Sequence, residues 1–239
     1  MNFIKNFIPA KFKRRIKDNL GVPSLHWTLM NLKACSFDPS FTVDIGAYVG
    51  EWTEQFLEVF PGKKVLMLEA QESKKTLLEN VCAKYNDVNC LIGLLSATNG
   101  KPVSFHENET ASHVGLVNED LCEGAKIYLT QTLDSIIEKN NYPLPDFLKL
   151  DVQGHEIEVL KGGEKAISNC EVCLLEVSFL ELTPGDPLVL DIFNFMDQKG
   201  FQAYDISQLM RRPLDKALYQ ADVFFVKKTS RLLKSKSWN

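Results

Sequence analysis

Apolar and polar positions along this chain follow two periods, and the switches between them mark its elements. Phe41-Thr42-Val43-Asp44-Ile45 is an apolar run that stops at Gly46. Beyond it, Trp52, Phe56, Val59 and Phe60 recur at helical spacing until Pro61-Gly62 ends the pattern. Lys64 to Ala70 is continuous enough in apolar residues for a strand covered on both faces. A helix with Leu77, Leu78, Val81, Cys82 and Tyr85 on one face follows, then a third strand over Val88 to Ala97. Strand-like runs at Phe147–Asp151 and Glu171–Val177, a helix over Pro187–Lys199 and strands at Phe201–Ile206 and Ala221–Lys227 complete the series. The alternation predicts an α/β domain with a largely parallel sheet and helices on both faces.

One segment breaks the alternation. Lys101 to Glu107 and Lys126 to Thr132 are short strand-like runs around a polar stretch, which predicts a β insertion before the fourth core strand. Its loop, about residues 106 to 125, is long enough to cover a site. His106 and His113 fall there and read as loop histidines. At the front, Leu25, Trp27, Leu29, Leu32 and Phe37 predict a helix over residues 24–37 that covers the sheet. The expected organisation is a basic arm and covering helix over 1–40, the main domain over 41–229 and a basic tail over 230–239.

Charge changes the picture at the N-terminus. The chain has 239 residues and a net charge of −4, which argues against general nucleic-acid binding. Residues 1 to 20 nevertheless hold six bases against Asp18 alone, a local charge of +5 that leaves −9 for the rest. Phe3, Ile4, Phe7, Ile8, Phe12 and Ile16 interleave with those bases, broken by Pro9. This arm either touches an anionic membrane surface or packs on its own domain or a neighbour. Neither a signal-peptide pattern nor an apolar run of ~18–20 residues is present. Six cysteines show no pairing pattern, and Cys170 and Cys173 fall in an expected strand where residues three apart face opposite sides. They read as reduced, mostly buried thiols rather than metal ligands, which places the chain in the cytoplasm.

The candidate chemistry lies where strands end. Asp44-x-Gly46-x-x-x-Gly50 joins a strand to a helix that opens at Glu51, so Asp44, Gly46, Ala47, Gly50 and Glu51 would frame a ligand against a helix start. The turn lacks the first glycine of a dinucleotide fingerprint. A carboxylate at Asp44 would repel a pyrophosphate and attract a cation, which suits the sulfonium and ammonium of S-adenosylmethionine. Glu69, with Ala70 after it, closes the second strand nineteen residues beyond Gly50, where a ribose diol is gripped in nucleoside-binding α/β folds. Ser96 closes the third strand, where an adenine would lodge. Asp151 closes a further strand on the same rim and is followed by Gln153, Gly154, His155 and Glu156.

These segments resemble the FkbM family of S-adenosylmethionine-dependent methyltransferases, from about Leu25 through Lys227. The resemblance is carried by Val43 to Thr53, by Thr132-Leu133-Asp134 and by Leu148 to Gly162, which is similar to the signature K-x-D-V-E-G-x-E-x-x-V-L-x-G. It implies a Rossmann-like seven-stranded methyltransferase sheet with a β insertion. It also implies methyl transfer, usually to a hydroxyl oxygen of a sugar, surface glycan, glycolipid or similar natural product. Gln153 stands where the family usually has Glu, His155 where it has a small residue, and Ala97 where an acid often follows Ser96. A sugar hydroxyl is a poor nucleophile, so a general base would help. Asp151 is the choice by position and His155 the choice by pKa, although His155 reads equally as a helix-surface residue. No metal constellation stands out, while Asp151 leaves divalent-cation assistance open. Two other classes remain: a non-catalytic cofactor- or partner-binding module on the same fold, and a nicotinamide-dependent oxidoreductase, which Asp44 opposes.

Overall fold

The computed structural model describes residues 22–106, 113–115, 126–235 and 237–238. The basic arm at residues 1–20 and most of the loop at 106–125 lie outside them. The seven expected core strands form one sheet: β1 (Phe41–Ile45), β2 (Lys64–Glu69), β3 (Val88–Ile92), β7 (Phe147–Leu150), β8 (Val172–Ser178), β9 (Phe201–Arg211) and β10 (Leu218–Lys227). Their order is β3-β2-β1-β7-β8-β10-β9. The pairs from β3 to β8 are parallel, and β10 runs antiparallel to both β8 and β9.

Alternation along each strand splits the core in two. Val43, Ile45, Leu66, Leu68, Leu148 and Leu150 join one buried cluster. Val65, Met67, Phe147, Leu174 and Phe224 join the other. Helix α1 (Leu25–Ala34) covers the second cluster with Leu29 and Leu32, and its Ser24 cap accepts from the Trp27 N–H at 3.1 Å. Helices α2 (Glu51–Val59) and α3 (Lys75–Cys82) pack on the same face. On the opposite face lie α4 (Leu133–Lys139), α5 (Glu156–Lys161), α6 (Glu164–Asn169) and α7 (Val189–Gln198).

Thr132-Leu133-Asp134 has a structural job. Thr132 caps α4 by accepting from the Ser135 N–H, and the Asp134 carboxylate accepts from Lys165 N–H at 2.9 Å and Ala166 N–H at 3.0 Å, capping α6.

The insertion is a three-stranded antiparallel sheet of β4 (Pro102–His106), β5 (His113–Gly115) and β6 (Lys126–Leu129), in order β5-β4-β6. Strand β5 lies in the stretch read as loop, and His106 and His113 are register partners there. Three other elements differ from expectation. The third strand stops at Ile92, where the last ladder bond runs from the Gly93 N–H to Glu69 O at 2.8 Å, and Leu95 makes only a bridge to Gln131. Strands β9 and β10 form a longer, bulged hairpin than the apolar runs suggest. Cys170 is the C-cap of α6 rather than a strand residue, so it joins Cys173 in one buried cluster. Of the other described cysteines, Cys82 and Cys90 are half-buried and Cys35 is exposed.

Candidate functional site: two cavities with a common wall

The carboxyl ends of β1, β2 and β7 bring their turns together. Gly46 has φ +71°, and a Cβ there would stand 1.8 Å from the Asp151 carbonyl oxygen, so only glycine lets the two turns touch. Gly50, at φ +83°, is required instead by packing, since a Cβ would meet Val81 at 2.9 Å and Met67 at 3.3 Å. Two adjoining cavities open on this edge. Gly46, Tyr48, Asp151 and Gln153 line both.

The first cavity has a volume of about 170 Å³. Glu69 lies at its wall, 6 % exposed, with Oε2 accepting from the Tyr48 N–H at 2.8 Å and Oε1 from the Gln71 N–H at 2.9 Å. Each carboxylate oxygen has two lone pairs, so two acceptor positions remain for a diol. Ala70 also lines this cavity, and Leu94, Leu95, Phe105 and Val152 supply apolar walls. Phe105 comes from β4, so the insertion contributes a wall of this cleft, while the loop expected to cover it lies mostly outside the described residues. The donor set, the unobstructed Gly46 and the apolar end fit S-adenosylmethionine: Glu69 would hold the ribose and the leucine-lined end the adenine.

The second cavity, about 460 Å³, is of another character. Gln55, Gln208, Tyr219 and Gln220 line it together with Glu176 and Asp222. Asp222 pairs in register with both Glu176 on β8 and Gln208 on β9. Gln153 ties the wall together: its Nε2 donates to Asp151 Oδ1 at 2.9 Å and to Glu176 Oε2 at 2.8 Å. It reaches both from a left-handed backbone, φ +51°. Gln220 Nε2 adds a third bond, to Glu176 Oε2 at 2.7 Å.

Burial first, then Asp151, Glu156 and Asp222, pushes the Glu176 carboxyl up to about 9 against the pull of Lys149. Burial and Asp151 raise Asp222 to about 7. Glu156 is fully buried, raised by burial to about 7, and accepts from the Val152 N–H at 3.1 Å and the Gly154 N–H at 3.3 Å. It holds the turn rather than the ligand.

Several expected site residues sit elsewhere than the chain pattern suggests. Asp44 lines neither cavity. It is 0 % exposed, ion-paired with Lys149 at 3.1 Å, and accepts from Thr53 Oγ1 at 2.7 Å, so it faces a protein cation instead of a ligand's. Gly50 lines neither cavity, while Ala47 and Glu51 line the second rather than the first. Ser96 is buried behind the first cavity, where its Oγ lies 3.1 Å from His155 Nε2. His155 lines the first cavity only; burial, reinforced by Lys101 and opposed by Glu158, lowers its pKa and favours the neutral ring. Asp151 stands on the common wall with its side chain 41 % exposed. Among the described residues no group of three His, Cys, Asp or Glu is placed to hold a metal ion.

Sequence reasoning assigned no role to Lys149, Glu176 or Asp222. Lys149 Nζ donates to Gly46 O at 2.8 Å and lies 3.8 Å from Asp151 Oδ2, which links the first turn to the common wall. Burial would lower its pKa, but Asp44 and Asp151 more than offset this and raise it. The available signal was a charged residue inside an otherwise apolar strand, as in Phe147-Leu148-Lys149-Leu150.

The comparison that decides the family is direct: residues 44–203, well over half of the chain, match the Methyltransferase FkbM domain. The chain belongs to the FkbM methyltransferase family. It is therefore an S-adenosylmethionine-dependent methyltransferase, and the nicotinamide reading falls. A 55-residue stretch is 36 % identical to the hexuronic acid methyltransferase AglP of Haloferax volcanii, covering 23 % of each chain. The fold of this FkbM-family chain is similar to that of cofactor-bound Rv0187 from MTB, with a TM-score of 0.52 at 10 % identity over 95 % of this chain and 94 % of that one. No helix among the described residues is long and apolar enough to cross a membrane.

Proposed function

We propose that this methyltransferase acts on oxygen, at a hydroxyl of a sugar, surface glycan, glycolipid or comparably hydroxylated molecule. The observation that carries the reading is the wall common to the two cavities. A polyol in the second cavity would meet side-chain amides, carboxylates and a phenol, groups that both donate and accept hydrogen bonds. The hexuronic acid methyltransferase of Haloferax volcanii supports the sugar class.

The bound cofactor supplies a methyl group already activated on its sulfonium, so the chain's task is chiefly positioning. Asp151, on the wall, is placed to orient the acceptor hydroxyl and to take its proton as the new C–O bond forms. Gln153 holds the Asp151 carboxylate from one side and Lys149 faces it from the other. Glu176, protonated below about pH 9, keeps the wall from carrying a second full charge beside Asp151.

The test is a methyl-transfer assay with labelled cofactor across a library of glycan, glycolipid and polyketide hydroxyls. Label should appear on oxygen. Asp151→Asn should bind the cofactor within a few fold of the parent while turnover falls by ~10²-fold or more. Label on nitrogen or carbon, or undiminished turnover of Asp151→Asn, would overturn the assignment.

A further inference from the structure

Among the described residues the second cavity is lined by four carboxylic acids, Glu51, Asp151, Glu176 and Asp222, and by a single base, Lys149. That base is already spent. An ammonium has three N–H donors. Those of Lys149 face Asp44 Oδ1 at 3.1 Å, Gly46 O at 2.8 Å and Ile45 O at 3.4 Å. Its side chain is 7 % exposed, and turning it toward a ligand would strand the buried Asp44 carboxylate. No arginine or histidine among the described residues lines the chamber. An anionic acceptor would therefore enter without a counter-charge and be repelled by Asp151 on the wall.

The acids are not equally engaged. Glu176 Oε2 accepts from Gln153 and Gln220, while Asp151 accepts from Gln153 and faces Lys149. Asp222 is half-buried between its register partners Glu176 and Gln208, and its carboxyl has no hydrogen-bond or ion-pair partner among the described residues. An unpaired carboxyl at such a place is costly, and burial with Asp151 nearby already raises it to about 7. What the position lacks is a cation. Tyr48 and Tyr219 line the same chamber, and the face of a phenol ring also attracts cations rather than anions.

We propose that the second cavity takes an amine-bearing sugar, with its ammonium seated against Asp222, and excludes hexuronic acids. The sugar ring rests on the oxygen-methylation reading above; the charge preference rests on the lining of the chamber. That charge differs from the one in the name of the Haloferax volcanii relative, whose match covers 23 % of this chain.

The full chain, saturated with S-adenosylhomocysteine, is titrated at neutral pH with matched methyl glycosides of glucose, glucosamine and glucuronic acid, and with the same set in the galactose series. Binding is followed by saturation-transfer NMR, so no turnover is needed. The amine should bind about tenfold tighter than the neutral sugar, the scale of one hydrogen bond to a charged group, and the uronate should be the weakest of the set. Asp222→Asn should erase the margin of amine over neutral sugar. Gln208→Lys, which puts a base beside Asp222 at an exposed strand position, should erase it too and bring the uronate level with the neutral sugar. S-adenosylhomocysteine affinity, read in parallel, shows that both variants are folded. Uronate bound as tightly as the amine would overturn the proposal. So would an amine margin that is absent in the parent or survives Asp222→Asn, or a failure of every glycoside to bind. Binding with the expected margin, but with label from the cofactor appearing on nitrogen, would overturn the oxygen assignment and leave the charge preference supported.

Discussion

Lys149 Nζ stands 3.1 Å from Asp44 Oδ1, and the two residues are register partners on adjacent strands, both sealed from solvent. The ion pair lies beneath the point where the first turn meets the second. Removing one partner leaves the other as an uncompensated buried charge, which typically costs more than the pair itself contributes. Lys149→Met should therefore destabilise the fold by ~3–5 kcal/mol, read as a lower denaturant midpoint. The Lys149 pKa is raised above 10.5 in the fold, so its contribution is complete below that pH and is lost only as pH climbs through the higher folded value. A midpoint unchanged in Lys149→Met would show that Asp44 finds other compensation.

Glu69→Gln keeps the size of the side chain and one carbonyl acceptor, but it removes the charge and turns one acceptor position into a donor. S-adenosylhomocysteine affinity in calorimetric titration should fall about ten- to a hundredfold, the loss of one or two charge-assisted hydrogen bonds. Unaltered affinity would mean that Glu69 serves only the Tyr48 and Gln71 amides.

Glu176 makes a pH signature. Its folded pKa of about 9 lies above its ordinary 4.5, so between those values the folded state holds a proton that the unfolded state has released. Stability attributable to Glu176 must then decline as pH rises through that window and level off above it. Glu176→Gln mimics the protonated acid and keeps an acceptor for Gln153 and Gln220. Its stability relative to the parent should grow from pH 5 to pH 9 in a series of urea melts. A constant difference would place the ionised form in the fold.

Much of this was legible in the chain. Strands β1, β2 and β7 are apolar runs closed by a glycine or an acid, and both glycine turns followed from residue type. The assembly of the second cavity was not legible. Glu176, Asp222 and Gln208 meet only because β8, β10 and β9 pair, and that register joins residues dozens of positions apart. The length of β9 was hidden for a related reason. Beyond Ile206 the strand buries only Ser207, so neither face supplies the apolar alternation that marks a strand. Asp44 and Ser96 were placed on the correct edge but assigned to a ligand, because sequence does not reveal that Lys149 and His155 reach them first.

His155 separates cofactor binding from catalysis. It lines the first cavity alone and bonds Ser96 across 3.1 Å, remote in the wall from Glu176 and Asp222. His155→Asn should weaken the cofactor, raising its KM several-fold, while kcat at saturating cofactor and its pH profile hold. A fall in kcat with loss of the acidic limb would move the general base from Asp151 to His155.

The two cavities are built from different materials. Around Glu69 the partners are peptide N–H groups of Tyr48 and Gln71, which every residue except proline provides. The facing chamber owes its character to side chains on β9 and β10, where one codon change replaces a hydrogen-bonding group with another. With the acceptor assigned to that chamber as proposed above, donor choice is insulated from most substitutions and acceptor choice is exposed to them. A lineage built on this scaffold can change what it methylates while its methyl source stays the same.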